Sequence, residues 1–188
     1  MSITSIIGAE RDRYVRYFET IAAQKAAETS QTVRELLISV NNETLQYPYR
    51  YLRADIVCKG EDGSNQFYEV WLDPPPDAEA RGFQLGPVAI EIYPITWCSV
   101  QIAFDRPVPN VTKLEALLSQ WLDVEDPSTD PLKVANAIHS VTPIETNGQL
   151  WYLTIDFGTA PADTLLDLID FLMNEVMVDR IIITSETK

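Results

Sequence analysis

Residues 100–123, VQIAFDRPVPNVTKLEALLSQWLD, and residues 151–175, WYLTIDFGTAPADTLLDLIDFLMNE, follow one plan. Each is an alternating strand that ends in aspartate, then a short Pro-containing turn, then an amphipathic helix. In the first helix Leu114, Leu117, Leu118, Trp121 and Leu122 share a face, and Asn110 suits the N-cap. In the second, Leu165, Leu168, Ile169, Leu172, Met173 and Val176 do so, with Pro161 placed for the first turn. A short helix starting at Asp130-Pro131, a strand around 139–146 and an Asn147-Gly148 hairpin turn fill the interval. The wholly apolar RIIIT at 180–184 reads as a central strand.

The triplet Asp156-Phe157-Gly158 in the second unit coincides with the magnesium-binding signature of protein kinases. Phosphoryl transfer of that type also needs a glycine-rich loop, a strand lysine and a His-Arg-Asp loop. The chain has Glu91 in VAIE where the lysine would stand, and the other parts are missing from the sequence. Asp156 and Gly158 are therefore read as a strand end and a turn.

Upstream of the first unit the period is two. Leu52, Ala54, Ile56 and Cys58 form one face of a strand, a turn spans Gly60–Gly63, and Tyr68, Val70 and Leu72 form a matching face. The run 73–86, DPPPDAEARGFQLG, is too rich in Pro and Gly to be regular. Two strands follow, with Val88, Ile90 and Ile92 inward, then Cys98, Val100, Ile102 and Phe104 inward. The first 40 residues read as helical, carried by Ile6, Ile7, Tyr14, Phe18 and Ile21, and then by Val33, Leu36, Leu37 and Val40 behind a Thr32/Glu35 capping box.

The expected fold is therefore α+β: a curved, mainly antiparallel sheet with helices on one face. Residues 96–188 have the βαββαβ order of ferredoxin-like folds. Residues 1–45 form an N-terminal helical segment packed on a 46–188 α+β domain, in a single compact domain of 188 residues. The order of elements and the acidity resemble bacterial secretion-chaperone folds, which implies a chaperone-like binding role.

Composition narrows function. Apolar residues at 46% and charged residues at 22% are ordinary for a globular chain. No apolar run reaches the roughly 20 residues needed to cross a bilayer. Glu10 and Asp12 argue against a signal peptide, and two cysteines in strand-like runs suit a reducing compartment, so the cytoplasm is expected. The net charge is −14, and residues 107–188 alone carry four basic and thirteen acidic groups. That field disfavours nucleic acid and anionic lipid, and favours a basic protein partner.

No catalytic residue is expected. His139 is the only histidine and has no companion at metal-ligand spacing, and Cys58 and Cys98 face the core, where a thiol is inert. Asp123, Glu125, Asp126 and Asp130 lack the glycine of a calcium loop. Neither a metal nor another cofactor is expected. Tyr51, Phe67, Trp71, Tyr93 and Trp97 form an outward aromatic set, with Tyr47 and Tyr49 beside it, suited to a partner or a second copy of the chain. Asp163, Asp167 and Asp170 make an acidic helix face, and Asp105, Arg106 and Asp156 at strand ends are candidates for a pocket. The leading expectation is a non-enzymatic binding or scaffold protein that forms a homodimer. A small-molecule-binding domain or enzyme, and an acidic inhibitor, are the alternatives.

Overall fold

The computed structural model describes residues 2–29, 31–42, 44–122 and 134–185. Helix α1 (Ile3–Glu28) starts at Ser2, whose hydroxyl accepts the Ser5 N–H while Ser5 reciprocates to the Ser2 N–H. It buries Ile7, Tyr14, Val15, Phe18 and Ala22 along one stripe. Strands β1 (Thr32–Ser39), β2 (Tyr51–Lys59) and β3 (Asn65–Tyr68) then form an antiparallel sheet in that order. The expected hairpin is present, with Ile56 opposite Tyr68 and Cys58 opposite Gln66, but its second strand ends at Tyr68, before Val70 and Leu72.

Strand β1 corrects the expectation of helix over 32–40. The apolar spacing there fits a helix, but seven positions of the segment pair in register with β2, from Thr32↔Cys58 to Ser39↔Tyr51. Pairing of β-branched Thr32, Val33 and Ile38 outweighs a local propensity worth only tenths of a kcal/mol per residue. Glu35 caps nothing: it lies across from Asp55, within the strand, with φ +50°.

The larger sheet holds β4 (Arg81–Leu85), β5 (Val88–Ile92), β6 (Val100–Phe104), β7 (Ser140–Val141), β8 (Glu145–Thr146), β9 (Trp151–Asp156) and β10 (Arg180–Ser185), in the order β4-β5-β10-β6-β9-β7, with β8 also on β9. The apolar strand β10 is central as read, parallel to β5 and antiparallel to β6. Ile181 and Ile183 are fully buried. Helix α2 (Val111–Leu122) follows β6, with the Asn110 side chain accepting the Lys113 N–H. Helix α3 (Asp163–Phe171) follows β9 and runs into a π-helical turn, Leu172–Val176, closed by Met177 at φ +57°. One hydrophobic cluster joins α1, both sheets, α2 and α3.

The α+β class stands, but the expected single sheet is two among the described residues. The chain leaves the small sheet after Tyr68, passes through Pro74–Pro76, which lack the amide hydrogens that a ladder needs, and starts the large sheet at β4. The irregular stretch is correspondingly shorter than expected, because Arg81–Leu85 pairs at the sheet edge with β5, and Gly86 at φ +58° supplies the turn. The strand expected over 139–146 is two short pieces, joined to β9 through the Asn147-Gly148 turn. The short helix expected at Asp130-Pro131 and the acidic run from Asp123 to Asp130 lie outside the described residues.

Trp97 is a further correction. It is fully buried rather than part of an outward aromatic face, with its ring 4.8 Å from that of Phe157 and its indole N–H donating to the Gly158 carbonyl at 3.1 Å. Residues 93–99 precede β6 instead of continuing it, so alternation does not apply. A Trp97→Ala chain is expected to lose about 3–5 kcal/mol in urea unfolding, as for a large core truncation. A change under about 0.5 kcal/mol, typical of a surface site, would contradict this placement.

Candidate functional site

Four chain segments meet at His139, the residue before β7. It is completely buried. Its Nδ1 lies 2.6 Å from Asp55 Oδ1 on β2, its Nε2 lies 2.8 Å from Glu35 Oε1 on β1, and Asp156 Oδ2 at the end of β9 is 3.8 Å from Nδ1. The carboxylates are themselves anchored. Asp55 Oδ2 accepts the Val70 N–H, and Asp156 Oδ1 accepts the Gly158 N–H at 2.8 Å. Glu35 Oε2 accepts the Ala135 N–H, and Thr159 donates its hydroxyl to Glu35 Oε1. His139 thus bonds a carboxylate at each ring nitrogen, as an imidazolium does.

The backbone is bent to allow this. Glu35 (φ +50°), Asn136 (φ +55°) and Gly158 (φ +47°) are all left-handed. Glu35 and Gly158 lie against the imidazole, and the Asn136 N–H donates to the Thr159 hydroxyl. A non-glycine residue there costs roughly 1–2 kcal/mol, which the bonds to Glu35 offset. Gly158 has a second reason: a Cβ on it would lie 2.1 Å from the His139 ring. The Asp-Phe-Gly triplet is accounted for residue by residue. Asp156 turns the chain and faces His139, Phe157 packs on Trp97, and Gly158 makes room for the ring.

Arg53 ties the same region together. Its backbone N–H donates to the His139 carbonyl at 2.7 Å, and its guanidinium donates to the Glu35 carbonyl at 3.1 Å and to the Leu122 carbonyl at 3.0 Å. The last bond covers the C-terminal end of α2 with a cation, the sign its dipole favours. From α1, Arg11 donates to the carbonyls of Thr159 and Ala160, and the Phe18 ring lies 6.1 Å from that of His139.

Burial alone would push the imidazole pKa down. Asp156, Asp55 and Glu35 outweigh it and raise His139 to about 10. Burial also pushes Glu35 up, but its bonds from His139, Thr159 and Ala135 hold it below its ordinary value. Asp156 goes the other way: burial, with Asp55 adding to it, lifts it to about 7 against the pull of His139. Burial, then Asp156, pushes the Cys98 thiol up to about 12, so it stays protonated and unreactive.

The other expected site residues are dispersed. Asp105 and Arg106 do not join Asp156: β6 and β9 are antiparallel, so their C-terminal ends lie at opposite edges of the sheet, about 17 Å apart over five residues. Asp105 accepts the Asp179 N–H, and Arg106 pairs with Asp179. Asp163, Asp167 and Asp170 are exposed together on α3. Partial burial, then its two neighbours, raises Asp167. With Leu117, Phe171, Asn174 and Glu175, Asp167 and Asp170 line a groove of about 300 Å³. Phe67 (59%) and Tyr93 (42%) are exposed, whereas Tyr51 and Trp71 are half-buried. Free Cys58 and Cys98 are both buried.

The His139 cluster was not visible in sequence, since the two acids that hydrogen-bond the ring, Asp55 and Glu35, lie 84 and 104 residues away. The alternation read in β2 put Leu52, Ala54, Ile56 and Cys58 inward, but Arg53 and Asp55 on the opposite face are buried as well, while Leu52 and Ala54 are only half-buried. Comparison with protein-family models, curated proteins and solved structures finds no match.

Two outcomes follow from this geometry. Gly158→Ala forces the His139 ring aside at a left-handed position, and is expected to cost about 3 kcal/mol or more in urea unfolding. In chelator-containing buffer, the raised His139 pKa makes the folded chain bind a proton that the unfolded chain releases near pH 6.5. Its stabilisation is complete below that pH and is lost as pH rises through about 10. Asp156, also raised, favours the folded state at low pH and stops doing so by about pH 7. The urea midpoint should therefore fall from pH 7 to pH 10, and Asp156→Asn should raise it at pH 8. A midpoint that climbs over that range would show that His139 is not held as an imidazolium.

Proposed function

We propose that this chain is a non-enzymatic binding protein that recognises another protein through the apolar surface of its small sheet. One observation carries the reading. Of the nine large hydrophobic residues exposed among the described residues, five come from this sheet and its flank: Val33, Leu36, Leu37, Tyr47 and Phe67. Val33 and Phe67 stand in one row across the three strands, on either side of the buried Val57. Leu37, Tyr47, Tyr51 and Leu122 line an adjoining pocket of about 200 Å³. An apolar patch with an aromatic-lined pocket is the form that interface anchors take.

The charge of −14 favours a basic partner and speeds its encounter. In the absence of that partner a second copy can cover the same apolar face, so a homodimer is the expected free state. Two free, buried cysteines suit the cytoplasm. No helix among the described residues is long and apolar enough to cross a membrane.

A second reading, an acidic inhibitor of a basic protein, is favoured by the α3 groove, where Asp167 and Asp170 flank Leu117 and Phe171. Salt separates the two. Binding through the small sheet changes little with ionic strength, and binding through the acidic groove weakens steeply.

The test is affinity capture from native cells with the double variant Leu37→Glu, Phe67→Ser beside the wild type. Both positions are exposed, so the variant keeps its fold by circular dichroism, while a captured protein is lost or bound at least tenfold more weakly. Identical capture by both chains, with both sedimenting as monomers, overturns the proposal.

A further inference from the structure

Asp55 and Asp156 each have one oxygen held by a backbone amide and the other turned toward His139 Nδ1. Three donor atoms, Asp55 Oδ1, His139 Nδ1 and Asp156 Oδ2, lie within 4.8 Å of one another. The opposite ring nitrogen is bonded to Glu35, whose second oxygen is fixed by the Ala135 N–H. A histidine that turns one nitrogen to two carboxylates and has the other pinned by a third carboxylate has the layout of a metal-ligating histidine with its outer acid. We propose that Asp55, His139 and Asp156 form a binding site for one divalent first-row transition ion, with Glu35 as the outer carboxylate that orients His139.

The distances suit this. Bonds of about 2.0–2.2 Å to nitrogen and oxygen place neighbouring donors roughly 3–3.5 Å apart. The present separations of 2.6 and 3.8 Å from Nδ1 bracket that range, so side-chain shifts below 1 Å complete the site. The Nδ1 proton leaves to solvent as the ion enters, and the Nε2 proton stays, donated to Glu35. Three carboxylates converge on a single imidazole, and an ion of charge +2 in place of that proton better balances them. Asp156 is the way in: its side chain is 23% exposed, against 0% for His139 and 5% for Asp55. The remaining coordination positions face that opening and take water. One imidazole and two carboxylates are borderline-to-hard donors, which suit Zn²⁺, Mn²⁺ or Co²⁺ over a thiophilic ion.

The test uses the full chain, free of any affinity tag, stripped with chelator and titrated with Zn²⁺ by calorimetry and with Co²⁺ by proton NMR. One equivalent is expected to bind. His139 is the sole histidine, so the Co²⁺ form should show one hyperfine-shifted, solvent-exchangeable ring N–H, that on Nε2. Asp156→Asn should weaken binding at least tenfold while the chain stays folded. Asp163→Asn with Asp167→Asn, on the outer face of α3, should leave binding unchanged. No binding, a shifted signal absent at one equivalent, unaltered affinity in Asp156→Asn, or loss of affinity in the α3 variant each overturns the site. None of these results depends on whether the small sheet binds a partner.

Discussion

The buried imidazolium of His139 is the contact on which the arrangement of the two sheets depends. Glu35 and Asp55 belong to the small sheet, Asp156 to the large one, and Thr159 and Ala135 to the segments beside it. Without the imidazole those carboxylates would be brought together inside the protein with nothing between them, at a cost of several kcal/mol per uncompensated charge. With it, Glu35 and Asp55 each gain a charge-assisted hydrogen bond, Asp156 gains an opposite charge 3.8 Å away, and the segments that carry them are drawn together. The left-handed backbone at Glu35 accompanies its bond to the ring, and that at Gly158 lies where a Cβ would strike it.

The surface proposed for recognition sits on the outside of this junction. Val33 and Leu37 lie two residues either side of Glu35 and pair with Val57 and Arg53, so the exposed residues of β1 border the segment that bonds His139. Arg53 extends the same tie to the last carbonyl of α2, beside the pocket that Leu37 and Leu122 line. A cation at the junction would hold the same strands by stronger and more directional bonds, with the surface unchanged.

Regular elements were legible wherever period and burial agree. The repeated strand–turn–helix units and the central β10 follow from apolar spacing, whereas the β2–β3 hairpin was legible from its turn, since β2 is buried on both faces and β3 is mostly exposed. Legibility failed where long-range pairing decides. Val33, Leu36 and Leu37 have helical spacing, yet β2 recruits them as a strand, and nothing local foretells a glutamate in a left-handed conformation. Trp97 looked outward only because β6 was read as starting three or four residues too early. The candidate site was the least legible part: its acids are unremarkable among 28, and only the fold selects Glu35, Asp55 and Asp156. Asp156 was singled out, but for a pocket with Asp105 that the antiparallel pairing of β6 and β9 precludes.

The distances along the chain between these partners have a kinetic side. β1, β2 and β3 are complete by Tyr68, but Glu35 and Asp55 do not gain the imidazole until His139 arrives, nor Glu35 its last hydroxyl donor until Thr159. At about 5–20 residues per second of synthesis, the small sheet waits roughly 5–20 s for the segment that fixes it. Its apolar exterior therefore becomes a defined surface only late, after most of the chain has emerged, and a nascent fragment ending before residue 139 presents a different, unsettled face.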